Sequence, residues 1–155
     1  MEKSSEVVKA LNGLLSVELR AINQYFLDSK MASHWGLEVL AGEFRDASFE
    51  EMRDAEALMD RILLLGGLPN LQRMEAFAAG ETVTEQFHLA RDLEEKAVSM
   101  LHEVIVEAEA AGDQATALML REALVDEEGQ LDWIDAQLGL IELVGEANYL
   151  ARKIR

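Results

Sequence analysis

A single proline, Pro69, stands in this chain of 155 residues, just beyond a Gly66-Gly67 pair. Proline breaks a helix and glycine caps one, so the spacing of these residues fixes how long any helix here can run. Between such breaks the apolar residues recur at three and four, the period of an amphipathic helix. Helix A is expected from Ser5 to about Trp35 on Val8, Leu11, Leu15, Ile22 and Tyr25, with Gly36 as its stop. Helix B runs from about Leu37 to Leu65 on Phe44, Ala47, Leu58, Ile62 and Leu65. Helix C starts near Val83, with Thr82 or Thr84 as cap, and carries Phe87, Ala90, Leu101 and Ile105 as far as Gly112. Asp113 is a good N-cap for helix D, whose row Ala117, Leu120, Leu124, Leu131, Ile134 and Leu138 continues to about Leu143. Gly145 separates a short tail helix, Glu146 to Ile154.

Between Leu68 and Thr82 there is no clear period, over a length unusual for a loop inside a compact domain. Each long helix, at about 1.5 Å per residue, spans roughly 40 Å. Short turns join A to B and C to D as antiparallel pairs, while the B–C segment must travel the length of the bundle. The expected fold is all-α: a four-helix bundle with a long B–C crossover and a short fifth C-terminal helix, the ferritin-like topology, as a single domain over residues 1–155.

Composition narrows the partners. With 14 Lys+Arg against 30 Asp+Glu the net charge is −16, which disfavours nucleic acid and anionic membrane, both of which attract clustered basic residues. No cysteine is present, so disulfides, Fe–S ligation, Cys-based zinc sites and thiol nucleophiles are excluded. The start of the chain leads directly into a helical pattern without the features of a signal peptide, and the longest apolar run, Ile62 to Leu65, is far short of the roughly 20 residues of a spanning helix. A cytoplasmic protein is expected.

Acidic residues interrupt the apolar rows. Glu18 falls between Leu15 and Ile22, and Glu94 between Ala90 and Leu101. Helix B places Glu51 and Asp54 between Ala47 and Leu58, and helix D places Glu127 and Gln130 between Leu124 and Ile134. Four helices thus each aim a carboxylate inward at similar depth. Isolated buried carboxylates are costly, and a cation is the economical compensation. Di-iron carboxylate bundles use this layout, with a Glu from two helices and Glu-x-x-His from the other two. Here the two motifs read Glu51-x-x-Asp54 and Glu127-x-x-Gln130, each without its histidine.

The run from Glu18 to Leu27 (ELRAINQYFL), Trp35-Gly36-Leu37, Glu51-Met52, Arg61-Ile62-Leu63, the run from Gly67 to Gln72 (GLPNLQ), Asp126-Glu127-Glu128-Gly129 and Asp132-Trp133 together resemble bacterioferritin, over nearly the whole chain and without gaps. The resemblance implies a 24-subunit hollow shell storing ferric mineral, b-type haem held between pairs of subunits, and an intrasubunit di-iron ferroxidase centre. Carried over, the bridging carboxylates fall on Glu51 and Glu127, the terminal ones on Glu18 and Glu94, and the histidine ligands on Asp54 and Gln130. Tyr25 lies near the centre and is placed to hydrogen-bond a carboxylate. The haem's axial ligand falls on Met52, one step off the inner row and so facing outward. The same outer side carries Leu19, Asn23 and Phe26 on helix A, and Arg45, Phe49 and Met59 on helix B. Asp46 and Glu50 fall where the family has iron-handling groups on the cavity wall, and Asn148 and Ala151 of the tail helix lie toward a symmetry axis. The histidines His34, His88 and His102 show no ligand spacing, and His88 and His102 are read as surface residues.

The expected function is iron storage as a haem-b-binding subunit with a degraded di-iron centre, where iron binds weakly or not at all. Shell formation as a homo- or hetero-oligomer, with a ferroxidase-competent bacterioferritin paralogue supplying oxidation, follows from the resemblance. So does a bacterioferritin-associated ferredoxin as electron donor for iron release. The alternative is an active ferroxidase using Asp54 and Gln130 as substitute ligands, which leaves enzymatic activity open. A third reading is a shell component that binds neither haem nor iron.

Overall fold

A computed structural model of the chain describes residues 2–155, with side chains from Ser4 onward. The helices are α1 (Glu2–His34), α2 (Glu38–Leu64), α3 (Val83–Ala110), α4 (Gln114–Val144) and α5 (Glu146–Ala151). No strand occurs among the described residues. The glycine stops act as expected: Gly36 and Gly66 take left-handed φ of 82° and 81°, where a Cβ would be strained, and backbone N–H groups just beyond turn back to Ala32 and Ile62 carbonyls at 2.9 Å. Thr82 caps α3 by accepting from Glu85 N, and Asp113 caps α4 by accepting from Thr116 N.

Two of the expected boundaries differ. Helix α1 begins at Glu2 rather than Ser5, and α5 ends at Ala151 rather than Ile154. The latter has a cause. Past Ala151 the chain closes as a tight turn, with Arg152 N to Tyr149 O and Lys153 N to Leu150 O, and the Lys153 carbonyl is taken by Val39 N at 2.9 Å. The tail is therefore anchored to the start of α2, an anchor strengthened by Lys153 Nζ to Glu43 at 2.8 Å, while Tyr149 OH ties it to α4 by donating to Gln137 at 2.7 Å.

Side-chain contacts give the helix directions. Ser48 Oγ donates to Ile22 O and Ser29 Oγ to Ala41 O, which sets α1 and α2 antiparallel in one register. The end of α2 meets the start of α1 through Ser4 Oγ to Leu65 O, and it meets the α3–α4 turn through Arg61, which pairs with Asp113 at 2.6 Å and donates to Thr116 at 2.8 Å. Gln86, near the start of α3, lies by Met31 near the end of α1. So α2 and α3 run the same way, and the segment between them must return along the bundle. It does so over α1: Asn12 exchanges hydrogen bonds with Leu68 O and Asn70 N, and Glu75 is held between Arg20 and Lys96. The architecture is the four-helix bundle with one long crossover and a short fifth helix.

The apolar interior is in two parts. One cluster gathers Val17, Ala21, Tyr25, Phe44, Phe87, Ile134 and Tyr149, and the other Val7, Leu11, Leu58, Ile62, Leu101 and Leu120. Phe44 connects the aromatic rings of the first, 5.3 Å from Phe87 and 6.3 Å from Tyr25. Between the clusters, at the waist of the bundle, lie the inward carboxylates. Helices α1 with α2 and α3 with α4 are the closely packed pairs, and α1 also packs against α3.

Candidate metal centre

Glu18, Glu51, Glu94 and Glu127 are all buried, one from each long helix. Each replaces an apolar residue in its helix's inward row, and that is why regular α-helix alone delivers all four to one level. Asp54, one turn after Glu51, is half-buried, as is Gln130 one turn after Glu127. Glu18, Glu51, Asp54 and Glu127 each offer an oxygen within 4.8 Å of the others, a spacing one cation can satisfy. Glu94 lies against Glu51 and Glu127 but outside that group.

Glu94 has a different partner. Tyr25 OH donates to its Oε1 at 2.6 Å, and the Gln130 amide nitrogen approaches the same hydroxyl at 3.5 Å. The role expected for Tyr25 is thus visible as a hydrogen bond, with Gln130 turned toward the tyrosine. Glu18 Oε2 and Glu127 Oε2, in contrast, have no hydrogen-bond partner although buried. A buried carboxylate oxygen left alone costs on the order of 1–3 kcal/mol or more, so it points to something the protein alone does not supply.

Electrostatics agree. Burial raises the carboxyls of Glu18 and Glu51 well above the ordinary value; repulsion from Glu18 and Glu127 adds to it at Glu51, and at Glu18 a hydrogen bond with Glu51 offsets part of the rise while repulsion from Glu127, Asp54 and Glu94 adds to it. Burial likewise pushes Glu94 up to about 8 and Asp54 to about 6, and it raises Glu127. The layer thus favours the protonated carboxyl, a preference that a bound cation would reverse.

A cleft of about 450 Å³ opens beside α2 and α4 and reaches the layer from solvent. Glu50, Arg53, Val125 and Asp126 line it together with Asp54 and Gln130. Arg53, Val125 and Asp126 were not candidates from sequence. Their only signal is adjacency to the Glu51 and Glu127 motifs, since exposed residues have no apolar phase to mark them.

A second flank lies outside the bundle. Met52 is 42% exposed, and with it Phe49 at 42% and Phe26 at 48%. Arg45 stacks over the Phe49 ring at 5.2 Å, and Asn23 donates to Leu19 O and Met74 Sδ. Leu19 and Met59 depart from an outward position, being half-buried against the second core cluster. His34, His88 and His102 are exposed, as are Asp46, Glu50, Asn148 and Ala151.

One buried acid belongs to neither flank. Asp28 on α1 is 2% exposed, its Oδ2 has no partner, and burial raises it from 3.8 to about 7. Below pH 3.8 both folded and unfolded chains hold this proton. Between 3.8 and about 7 only the folded chain does, so stability falls as pH rises and then levels off. That displacement, at about 1.4 kcal/mol per pH unit, sets a ceiling of about 4 kcal/mol. Asp28→Asn is therefore expected to raise the thermal midpoint at pH 8 and to leave it nearly unchanged at pH 3.5. An equal change at both pH values would show that Asp28 is not held protonated.

The donor set does not fit a pair of irons each bound by an imidazole. No histidine is near the layer, and on the Glu94 side Gln130 and Tyr25 are occupied with one another and with Glu94.

Residues 8–144 match the model of the ferritin-like domain. The chain is 43% identical over 152 residues to the bacterioferritin of Mycobacterium leprae, covering 98% of this chain and 96% of that one. It is 45% identical over 154 residues to that of Streptomyces coelicolor, with 99% and 92% covered, and 34% identical over 149 residues to that of Brucella melitensis, with 96% and 92% covered.

Proposed function

This chain belongs to the bacterioferritin family of ferritin-like proteins, and on that premise we propose that it is a haem-binding iron-storage subunit whose own di-iron centre no longer works as a ferroxidase. Iron is the cargo, held as ferric mineral inside a 24-subunit shell. Oxidation is supplied by a co-assembled paralogue with both histidines, and electrons for release come from a bacterioferritin-associated ferredoxin.

The observation that carries this reading is a contrast within one turn of α2: Met52 faces outward and exposed, while Glu51 faces a layer that has Asp54 and Gln130 in place of imidazoles. The outward donors fit haem. A thioether stands among exposed aromatic rings on the adjacent helices α1 and α2, an apolar surface of the kind that marks a ligand or subunit contact. Met52, with the same residue of a second subunit, would hold the iron, Phe26 and Phe49 would cover the ring faces, and Asn23 and Arg45 would border its polar edge. Bound there, haem would supply one-electron transfer. The protein's part is to hold the thioether at the surface of a rigid helix. Leu19, half-buried beneath that surface, closes it off from the core.

On the inner flank, Asp54 is a shorter and more negative ligand than histidine, which favours ferric over ferrous iron and opposes cycling, and Gln130 offers only a neutral amide. Iron-free protein given ferrous iron in air is accordingly expected to oxidise it at the background rate. Fast oxidation saturating at about two irons per subunit, and lost in Glu51→Ala, would establish an active ferroxidase instead.

A further inference from the structure

We propose that the carboxylate layer is a site for one hard divalent cation, bound by oxygen alone through Glu18, Glu51, Asp54 and Glu127, and that the Glu94 side of the former pair of sites lacks the donors to hold a second. The proposal rests on the family assignment only for the comparison with two metals, and it is independent of haem at Met52.

The four oxygens lie within 4.8 Å of one another. An oxygen-ligated cation with bonds of roughly 2.1–2.4 Å has its opposite donors about 4.2–4.8 Å apart, so a single ion fits inside the group with little movement. Two buried oxygens, Glu18 Oε2 and Glu127 Oε2, have no other partner and belong to residues 6% and 2% exposed. Helix packing forces these two oxygens inward without a partner, and a cation supplies what is missing.

The Glu94 half is different. Its Oε1 accepts from Tyr25 at 2.6 Å, and Gln130 presents a donor nitrogen to that hydroxyl where a metal-binding nitrogen lone pair would be needed. A second ion there would find only the other oxygen of Glu94 and the weak oxygen of a reoriented amide as its own donors, with no imidazole to complete the set. The asymmetry thus leaves one complete ligand set and one dismantled one.

Donor chemistry selects the ion. All-carboxylate sets suit Mn²⁺, Mg²⁺ and Ca²⁺, whereas nitrogen or sulfur donors favour later transition metals, and none is present in this layer. The entry path is the cleft lined by Glu50, Arg53 and Asp126, which leads to Asp54 at the edge of the group.

The test uses Mn²⁺ alone. Metal-free shells titrated with Mn²⁺ in moderate salt, followed by calorimetry and by frozen-solution paramagnetic resonance, are expected to give one tight site per subunit with the six-line signal of an uncoupled ion. Glu127→Gln and Asp54→Asn should each weaken that site at least tenfold, and Glu94→Gln should leave the stoichiometry at one. Two tight ions per subunit with an exchange-coupled spectrum would overturn the proposal, as would the absence of a tight site or tight binding that survives in Glu127→Gln. The wild-type stoichiometry decides even if a variant fails to fold. Haem content and shell size, measured on the same samples, report on the family function separately, so the failure of one is not mistaken for failure of the other.

Discussion

On the proposed haem site, Met52→Ala protein reconstituted with haem b is expected to retain at most about one-tenth of the haem that the wild type binds, since removing the proposed iron ligand would cost at least the 10–100-fold typical of losing a ligand's supporting contacts. The wild-type complex should saturate at one haem for two subunits and give the low-spin spectrum of two thioether ligands. Met52→His should keep haem and change the spectrum. The reason is local: the side chain projects from the middle of α2, a helix anchored at one end by Arg61 on Asp113 and at the other by the Lys153 tail. Truncation removes the donor without loosening its support. Unchanged haem content in Met52→Ala would remove Met52 from the haem site and leave the shell-component reading standing.

The second large effect is a gain. Asp54→His with Gln130→His places imidazoles at both half-buried positions flanking the layer, and aerobic oxidation of ferrous iron should rise by roughly 10–100-fold over wild type. Either single substitution is expected to do much less, because a two-metal reaction needs both flanks. Stopped-flow absorbance at the ferric band checks this, with metal stoichiometry on the same protein rising from one to two. A double variant that binds two metals yet stays at the wild-type rate would place the defect outside these two residues.

Much of this was legible from periodicity. Glu18, Glu51, Glu94 and Glu127 could be found because each sits in phase with apolar neighbours, and a residue in an apolar row has a direction even before there is a structure. Helix ends were marked by glycines whose backbone no other residue adopts as easily. Contacts without a period stayed hidden. Glu75 between Arg20 and Lys96, and the tail docked through Val39 and Glu43, join residues far apart in sequence and leave no local pattern. Gln24 and Asp28 were missed for the opposite reason: they are polar residues in a buried row beside the one carrying Leu15 and Tyr25, and amphipathic reasoning assigns polar residues to solvent. Met59 was placed outward with Met52, but seven residues fall short of two whole helical turns by about 20°, enough to bring it against the core. Periodicity also gives faces and not separations, so the cleft beside α2 and α4 had no sequence signature.

The division of the interior into two apolar clusters with an acidic waist makes the bundle's cohesion a function of its surroundings. Two hairpins, α1–α2 and α3–α4, meet across that waist, and what lies there either pushes them apart or draws them together. A cation that binds the folded chain at a hundred times its dissociation constant adds about 2.7 kcal/mol to folding, a sizeable share of what a domain of this size ordinarily has. With a cation held there as proposed, the melting temperature would be a gauge of free metal. On the proposed cation site, chelator-treated protein would be the soft form and metal-replete protein the hard one, so the bundle would register the ionic state of the solution around it.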